Sequence, residues 1–189
     1  RSTGRVYYVP GNRDGQLMRF DPKVGKPEPV PGAMLGMRAA TDETKDGIIY
    51  TVSIGQRSAD ATIWALNTKT EKVRKVGTAA VGSQAYVASI DAGPNGRYLY
   101  YVPGAHGGSP RDGTPVVQFD VKTGRRKVLA FLHAHYKQKY GFDLKGTYST
   151  ALSSDGSQLF ITFNVNRGSR AWDTCGLVIL HIPVSERLP

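Results

Sequence analysis

The chain contains one cysteine, Cys175, among 189 residues. That excludes an internal disulfide and any cysteine-based metal cluster. At the start of an apolar strand, Cys175 is expected to be a small buried residue rather than a reactive thiol. No apolar run approaches the roughly 18 residues a helix needs to cross a bilayer. The signatures G-x-S-x-G, H-E-x-x-H and the P-loop are absent, so the chemistry those patterns support has no recognisable site here. Acids are also in short supply: 15 Asp and Glu stand against 25 Lys and Arg, a formal net charge of +10. Glutamate occurs only as Glu28, Glu43, Glu71 and Glu186, while Asp21, Asp46, Asp120 and Asp155 fall in turn sequences. Divalent cations prefer clustered carboxylates, and none is evident. No catalytic residue, metal or cofactor is expected.

What the chain does have is repetition. YYVPG occurs at 7–11 and again at 100–104, each time followed by Arg-Asp-Gly, an apolar run ending in Phe-Asp, and a Lys/Gly turn. A weaker copy spans 48–72 and a fourth spans 159–183. Tyr7, Tyr50, Tyr100 and Phe160 occupy one position of this repeat. Upstream of three copies stands Asp-Gly or Asn-Gly, in KDGIIYTV (45–52), PNGRYLYY (94–101) and SDGSQLFI (154–161). Such pairs tolerate the positive φ of a tight hairpin turn. Each unit then reads as four short strands, a to d: one before the turn, the Tyr segment, the run ending in Phe-Asp, and a short basic stretch. Four strands in about 40–50 residues is the arithmetic of a β-propeller blade. The expected fold is all-β, a propeller sector of about four blades made of four-stranded antiparallel sheets. A partial blade is expected at 5–32, full blades at 36–77 and 85–132, and a partial blade at 147–189. The first lacks a strand a and the last a good strand d, so the sector is expected to belong to a larger propeller of seven or eight blades.

The segments SSDGSQLFI and GPNGRYLYY, with the turn DVKTGR (120–125), resemble the repeats of TolB-like, YVTN and lactonase-type propellers. The likeness covers nearly the whole chain. It implies the propeller fold and a bacterial extracytoplasmic location, periplasmic or secreted. It says little about activity, because this architecture hosts hydrolases, oxidoreductases, receptors and inert scaffolds. Lactonase-type members use a Glu/Asn/Asp metal set in the channel, whereas the inner strand starts here offer Arg38, Tyr86 and Tyr148.

In a propeller the b–c and d–a loops emerge on one face. The b–c loops read as 11–15, 54–61, 104–113 and 164–174, and each contains an Arg followed within three residues by an Asp: Arg13/Asp14, Arg57/Asp60, Arg111/Asp112 and Arg170/Asp173. One reading is architectural, with each Asp capping a turn and each Arg tying neighbouring blades. The other has the guanidinium forks converging on an anionic ligand. The longest d–a connection is 133–147, long enough to hold a helix. This topology gathers His106, Arg111, His133, His135, Arg167, Arg170 and Trp172 into one candidate binding face, with Trp172–Asp173 in a loop. If 133–135 were a strand, His133 and His135 would share a side. Between Lys122 and Lys145 there are seven Lys/Arg against one acid, Asp143. A basic balance attracts acidic partners through long-range, salt-sensitive forces.

The sequence therefore points to a non-catalytic binding or scaffold propeller that recognises an acidic or anionic partner, with another polypeptide completing the ring. The alternative is a fragment of a lactonase-like or related hydrolase propeller whose site is completed by further blades.

Overall fold

In a computed structural model of the chain, residues 2–11, 13–54, 61–168 and 170–187 are described, those at 170–173 by backbone alone. Fourteen strands form four antiparallel sheets among them. The first sheet is β1 (Val6–Tyr8), β2 (Asp14–Phe20) and β3 (Pro27–Gly36); the second is β4 (Ala39–Ala40), β5 (Ile48–Val52), β6 (Thr62–Asn67) and β7 (Val73–Thr78). The third is β8 (Val87–Ala92), β9 (Tyr98–Pro103), β10 (Pro115–Asp120) and β11 (Arg126–Phe131); the fourth is β12 (Phe142–Leu152), β13 (Gln158–Arg167) and β14 (Arg170–His181). Within every sheet the strands follow chain order. Two short helices, α1 (His133–Tyr140) and α2 (Val184–Arg187), and a 3-10 turn over Ser109–Asp112 complete the described elements. The molecule is an all-β propeller sector.

Local chemistry sets the hairpins. Gly47, Gly96 and Gly156 close the turns between the first two strands of sheets two, three and four with φ of 79, 69 and 73°, a region only glycine enters cheaply. The outer turns repeat a second device. The side chains of Asp21, Asn67 and Asp120 accept the backbone N–H two residues on, an Asx turn that fixes the strand exit.

The core lies between the sheets, in three seams. Leu17, Val30, Leu35 and Leu66 fill the first, with Tyr7 packed against them. Tyr50, Ile63, Tyr101 and Phe119 are in the second, and Tyr100, Leu159, Phe163 and Val165 in the third. Neighbouring strand residues point to opposite faces, so Tyr100 and Tyr101 enter different seams. Each fully buried large apolar side chain there contributes about 1.5–3 kcal/mol. The first seam is flanked by ion pairs. Arg5 meets Asp21 at 3.0 Å and Glu71 at 3.1 Å, and Arg19 meets Glu71 at 2.6 Å and Glu28 at 2.9 Å.

The repeat position carries a direction. Tyr7, Tyr50 and Tyr100 each face the following sheet. Phe160 pairs with Ile179, and Ile179 is 44% exposed on the outward side of the fourth sheet.

Several sequence expectations need correction. β3 continues to Gly36 and β12 begins at Phe142, beyond the boundaries read at 32 and 147. The segment 164–174 is mostly not a loop: β13 and β14 run on as a hairpin that pairs Arg167 with Arg170. Val165 stays buried and Gly168, at φ 61°, makes a tight turn. The backbone of Trp172–Asp173 therefore lies in β14. Cys175 is exposed, not buried, because Val178 takes the inward side of β14 and Cys175, Leu177 and Ile179 alternate onto the other.

Candidate functional site

α1 joins β11 to β12 and is seated on the connection between β9 and β10. The Leu132 N–H donates to Thr114 O at 3.1 Å and the His133 N–H to Gly113 O at 3.0 Å. The segment HAHYKQKY is free of Pro, Gly and β-branched residues, which suits a helix. Gly141, at φ 69°, ends it by donating its N–H to the Lys137 and Tyr136 carbonyls. Lys137 and Lys139 in the last turn complement the negative end of the helix dipole.

Two residues apart on a helix, His133 and His135 lie about 200° apart around the axis, so the shared-side arrangement of a strand does not apply. His133 Nε2 lies 3.7 Å from Asp143, and Lys137 reaches the same carboxylate at 2.8 Å. The Lys137 hydrogen bond holds the Asp143 carboxyl below its ordinary pKa. His135 instead stands edge-on to Tyr136 and Tyr140. Tyr140 tilts against Tyr136 at 5.6 Å and stacks on Phe142 at 6.1 Å. Lys139 lies 5.2 Å from the Tyr140 ring centre, and Arg167 lies 5.6 Å from that of Phe142. His135 and Arg167 thus belong to one surface, a ladder of three aromatic rings edged by cations, while His133 is turned to Asp143.

Arg111 sits exposed in the 3-10 turn. Its neighbour Asp112 accepts from the Ser83 N–H at 2.8 Å and from the Ser83 hydroxyl at 2.7 Å. That carboxylate holds the connection between β7 and β8. In the architectural reading of the Arg–Asp pairs the Arg makes such a tie and the Asp caps a turn; at this pair the Asp makes the tie while Arg111 stays exposed. Arg57, Asp60 and the side chains of Arg170 and Trp172 lie outside the described residues.

His106 belongs to a second group, beside the inner strands β4, β8 and β12. Its backbone is left-handed, with φ 57°. A Cβ on Gly146 would stand 2.9 Å from His106 N and 3.0 Å from Gly107 N, so the absence of a side chain at 146 admits this loop. The His106 ring meets Tyr86 edge-on at 5.0 Å and Tyr148 at 6.4 Å, and its Nε2 is 3.3 Å from the Tyr86 hydroxyl. Arg38 donates from Nε to that hydroxyl at 2.5 Å, with its guanidinium 5.0 Å from the Tyr86 ring centre. Asn164 donates to the Tyr148 hydroxyl at 2.6 Å. Sequence reasoning saw Arg38, Tyr86 and Tyr148 only as poor metal ligands. Arg38 and Tyr86 do stand immediately before β4 and β8, whereas Tyr148 lies in the middle of β12 rather than at its start.

No protein-family model and no curated protein matches the sequence. Solved structures do match. The chain resembles the tricorn protease over 97% of its length, with TM-score 0.55 and 13% identity. It resembles Kuenenia stuttgartiensis hydrazine synthase over 88% of its length, with TM-score 0.55 and 14% identity. It spans 17% and 40% of those two chains. At such identities the likeness shows the fold alone, a propeller-like all-β architecture.

Proposed function

We propose that this chain is a sector of a non-catalytic binding propeller, whose loop face over the third and fourth sheets recognises an acidic segment of a partner protein. The observation that carries the reading is the α1 surface. Lys139 and Arg167 rest on aromatic rings with no ion pair among the described residues, and Tyr140 between them is 44% exposed. Rings supply rigid contact area and hold the cations ready for a carboxylate-bearing ligand. The net charge of +10 adds long-range attraction. The repeat motifs favour a propeller of the TolB, YVTN or lactonase type, and with it a periplasmic or secreted bacterial protein. The outward apolar sides of the first and fourth sheets are read as seats for further blades supplied by another polypeptide, because Phe160 repeats the position at which Tyr7, Tyr50 and Tyr100 meet the next sheet.

The test uses a labelled poly-glutamate peptide and fluorescence anisotropy at two salt concentrations. Binding should weaken with salt, since screening at 0.15 M acts over about 8 Å. Changing Lys139→Glu together with Arg167→Ala should reduce affinity by about tenfold or more, equivalent to about 1.4 kcal/mol, at an unchanged melting temperature. Unaltered affinity in that variant would refute the reading.

A further inference from the structure

We propose that Arg38, Tyr86, His106 and Tyr148 form a binding site for a small carboxylate at the loop-side end of the inner strands, independent of the α1 surface. Three sheets contribute to it. Arg38 immediately precedes β4, Tyr86 immediately precedes β8, and Tyr148 lies in β12. The inner strands are neighbours: the Thr150 hydroxyl of β12 donates to Asp91 of β8 at 2.5 Å.

The donor inventory points to an anion. Arg5, Arg19 and Arg97 are all committed to carboxylates. Arg38 makes no ion pair among the described residues and is held by Tyr86 alone, through Nε and the ring face. Its two terminal amino groups have no hydrogen-bond partner among the described residues, and that fork matches a carboxylate. Both phenols are oriented by accepting a hydrogen bond, Tyr86 from Arg38 and Tyr148 from Asn164. Tyr148 therefore keeps its own proton to donate, and Tyr86 does so in the His106 tautomer whose Nε2–H donates to it. One guanidinium and two such hydroxyls make a donor-rich site with one fixed positive charge, suited to a monoanion rather than a phosphate dianion.

The site is also held in place before any ligand arrives. A left-handed residue other than glycine costs roughly 1–2 kcal/mol and persists only where its surroundings over-determine it. Here they do. The N–H groups of Gly104 and Ala105 both reach Tyr86 O, at 2.9 and 3.4 Å, and Gly146 lets the loop settle against β12. His106 is thereby fixed between the two tyrosine rings.

The experiment is an NMR titration of the whole chain at low ionic strength, following the Arg38 Nε–H and the His106 imidazole. The probes are acetate, chloride at equal ionic strength, and inorganic phosphate. Acetate should give saturable shifts at these two groups and chloride should not. Arg38→Gln should weaken acetate binding by about tenfold or more. Tyr148→Phe, which removes only a hydroxyl and keeps the ring, should weaken it by a smaller factor with an unchanged spectrum elsewhere. Linear, unsaturated shifts, equal shifts with chloride, an Arg38→Gln protein that titrates like the unaltered one, or phosphate binding more tightly than acetate would each overturn the proposal.

Discussion

Glu71 sits where the other outer turns have glycine. Gly25 and Gly124 take φ 74 and 71° at the fifth position of their turns, and Glu71 takes 58°. A side chain there is strained, yet this one makes contacts no glycine can. It receives Arg5, Arg19 and the Tyr7 hydroxyl, the last at 2.9 Å. Burial pushes its carboxyl up, but the hydrogen bonds from Arg19 and Tyr7 outweigh that and hold it below the ordinary range. The turn sequences at 21–25 and 120–124 were legible as a repeat. The role of Glu71 was not, because its partners come from the preceding repeat. Two substitutions separate strain from contact. Glu71→Ala keeps the strain and loses the contacts, and Glu71→Gly loses both. In urea denaturation both should be less stable than the unaltered chain, with Ala below Gly by about 1 kcal/mol. An Ala variant as stable as the original, with the Gly variant more stable than both, would mean that the contacts of Glu71 contribute nothing.

At the scale of elements, the strands were readable because alternation and the Asp-Gly or Asn-Gly turns act together, as in PNGRYLYY, where Leu99 and Tyr100 enter different seams. α1 was foreseen only as a connection too long for a plain loop. None of its residues is buried, so it has no apolar stripe to find; docking through Leu132 and its capping define it instead. The β13–β14 hairpin was missed for a related reason. Polar residues such as Asn164 and Asn166 read as loop, although Val165 between them is buried. The cap makes α1 separable from the sheets. Gly141 is left-handed, and open space surrounds the position of an added Cβ, so Gly141→Ala introduces backbone strain of about 1–2 kcal/mol without a clash. Hydrogen exchange should show about tenfold less protection across the last turn of α1, while amides in β9 and β13 stay as they were. Equal loss of protection in the strands would show that α1 is integral to the folding unit. In that case the α1 surface could not be altered independently of the fold.

For the whole molecule, the repeat made the sheet sequence legible and assigned Arg38, Tyr86 and Tyr148 to the inner strands, while their meeting around His106 was hidden because each repeat contributes one unlike residue. Only the stacking of three sheets brings them together. The same stacking leaves apolar surface outward at both ends. On the first sheet Val6 is 56% and Met34 51% exposed; on the fourth Leu177 is 61% and Ile179 44% exposed. Inside the molecule the corresponding faces are covered by a neighbouring sheet, so these two are the surfaces on which further blades would pack, and exposed apolar patches of this kind promote association. The chain by itself should therefore associate as its concentration rises in sedimentation velocity, despite its charge. Replacing Leu177 and Ile179 together by Lys should keep it monomeric. The melting temperature should change little, since substitutions at exposed positions are usually worth within about 0.5 kcal/mol each. Val178→Lys, one residue away but 3% exposed in the third seam, should unfold the protein and so confirms which side of β14 is which. If the double Lys variant unfolds as well, that face is already occupied within the chain. If the unaltered chain remains monomeric at every concentration, the outward faces exert no drive to associate, and the proposal of covering blades loses its physical basis.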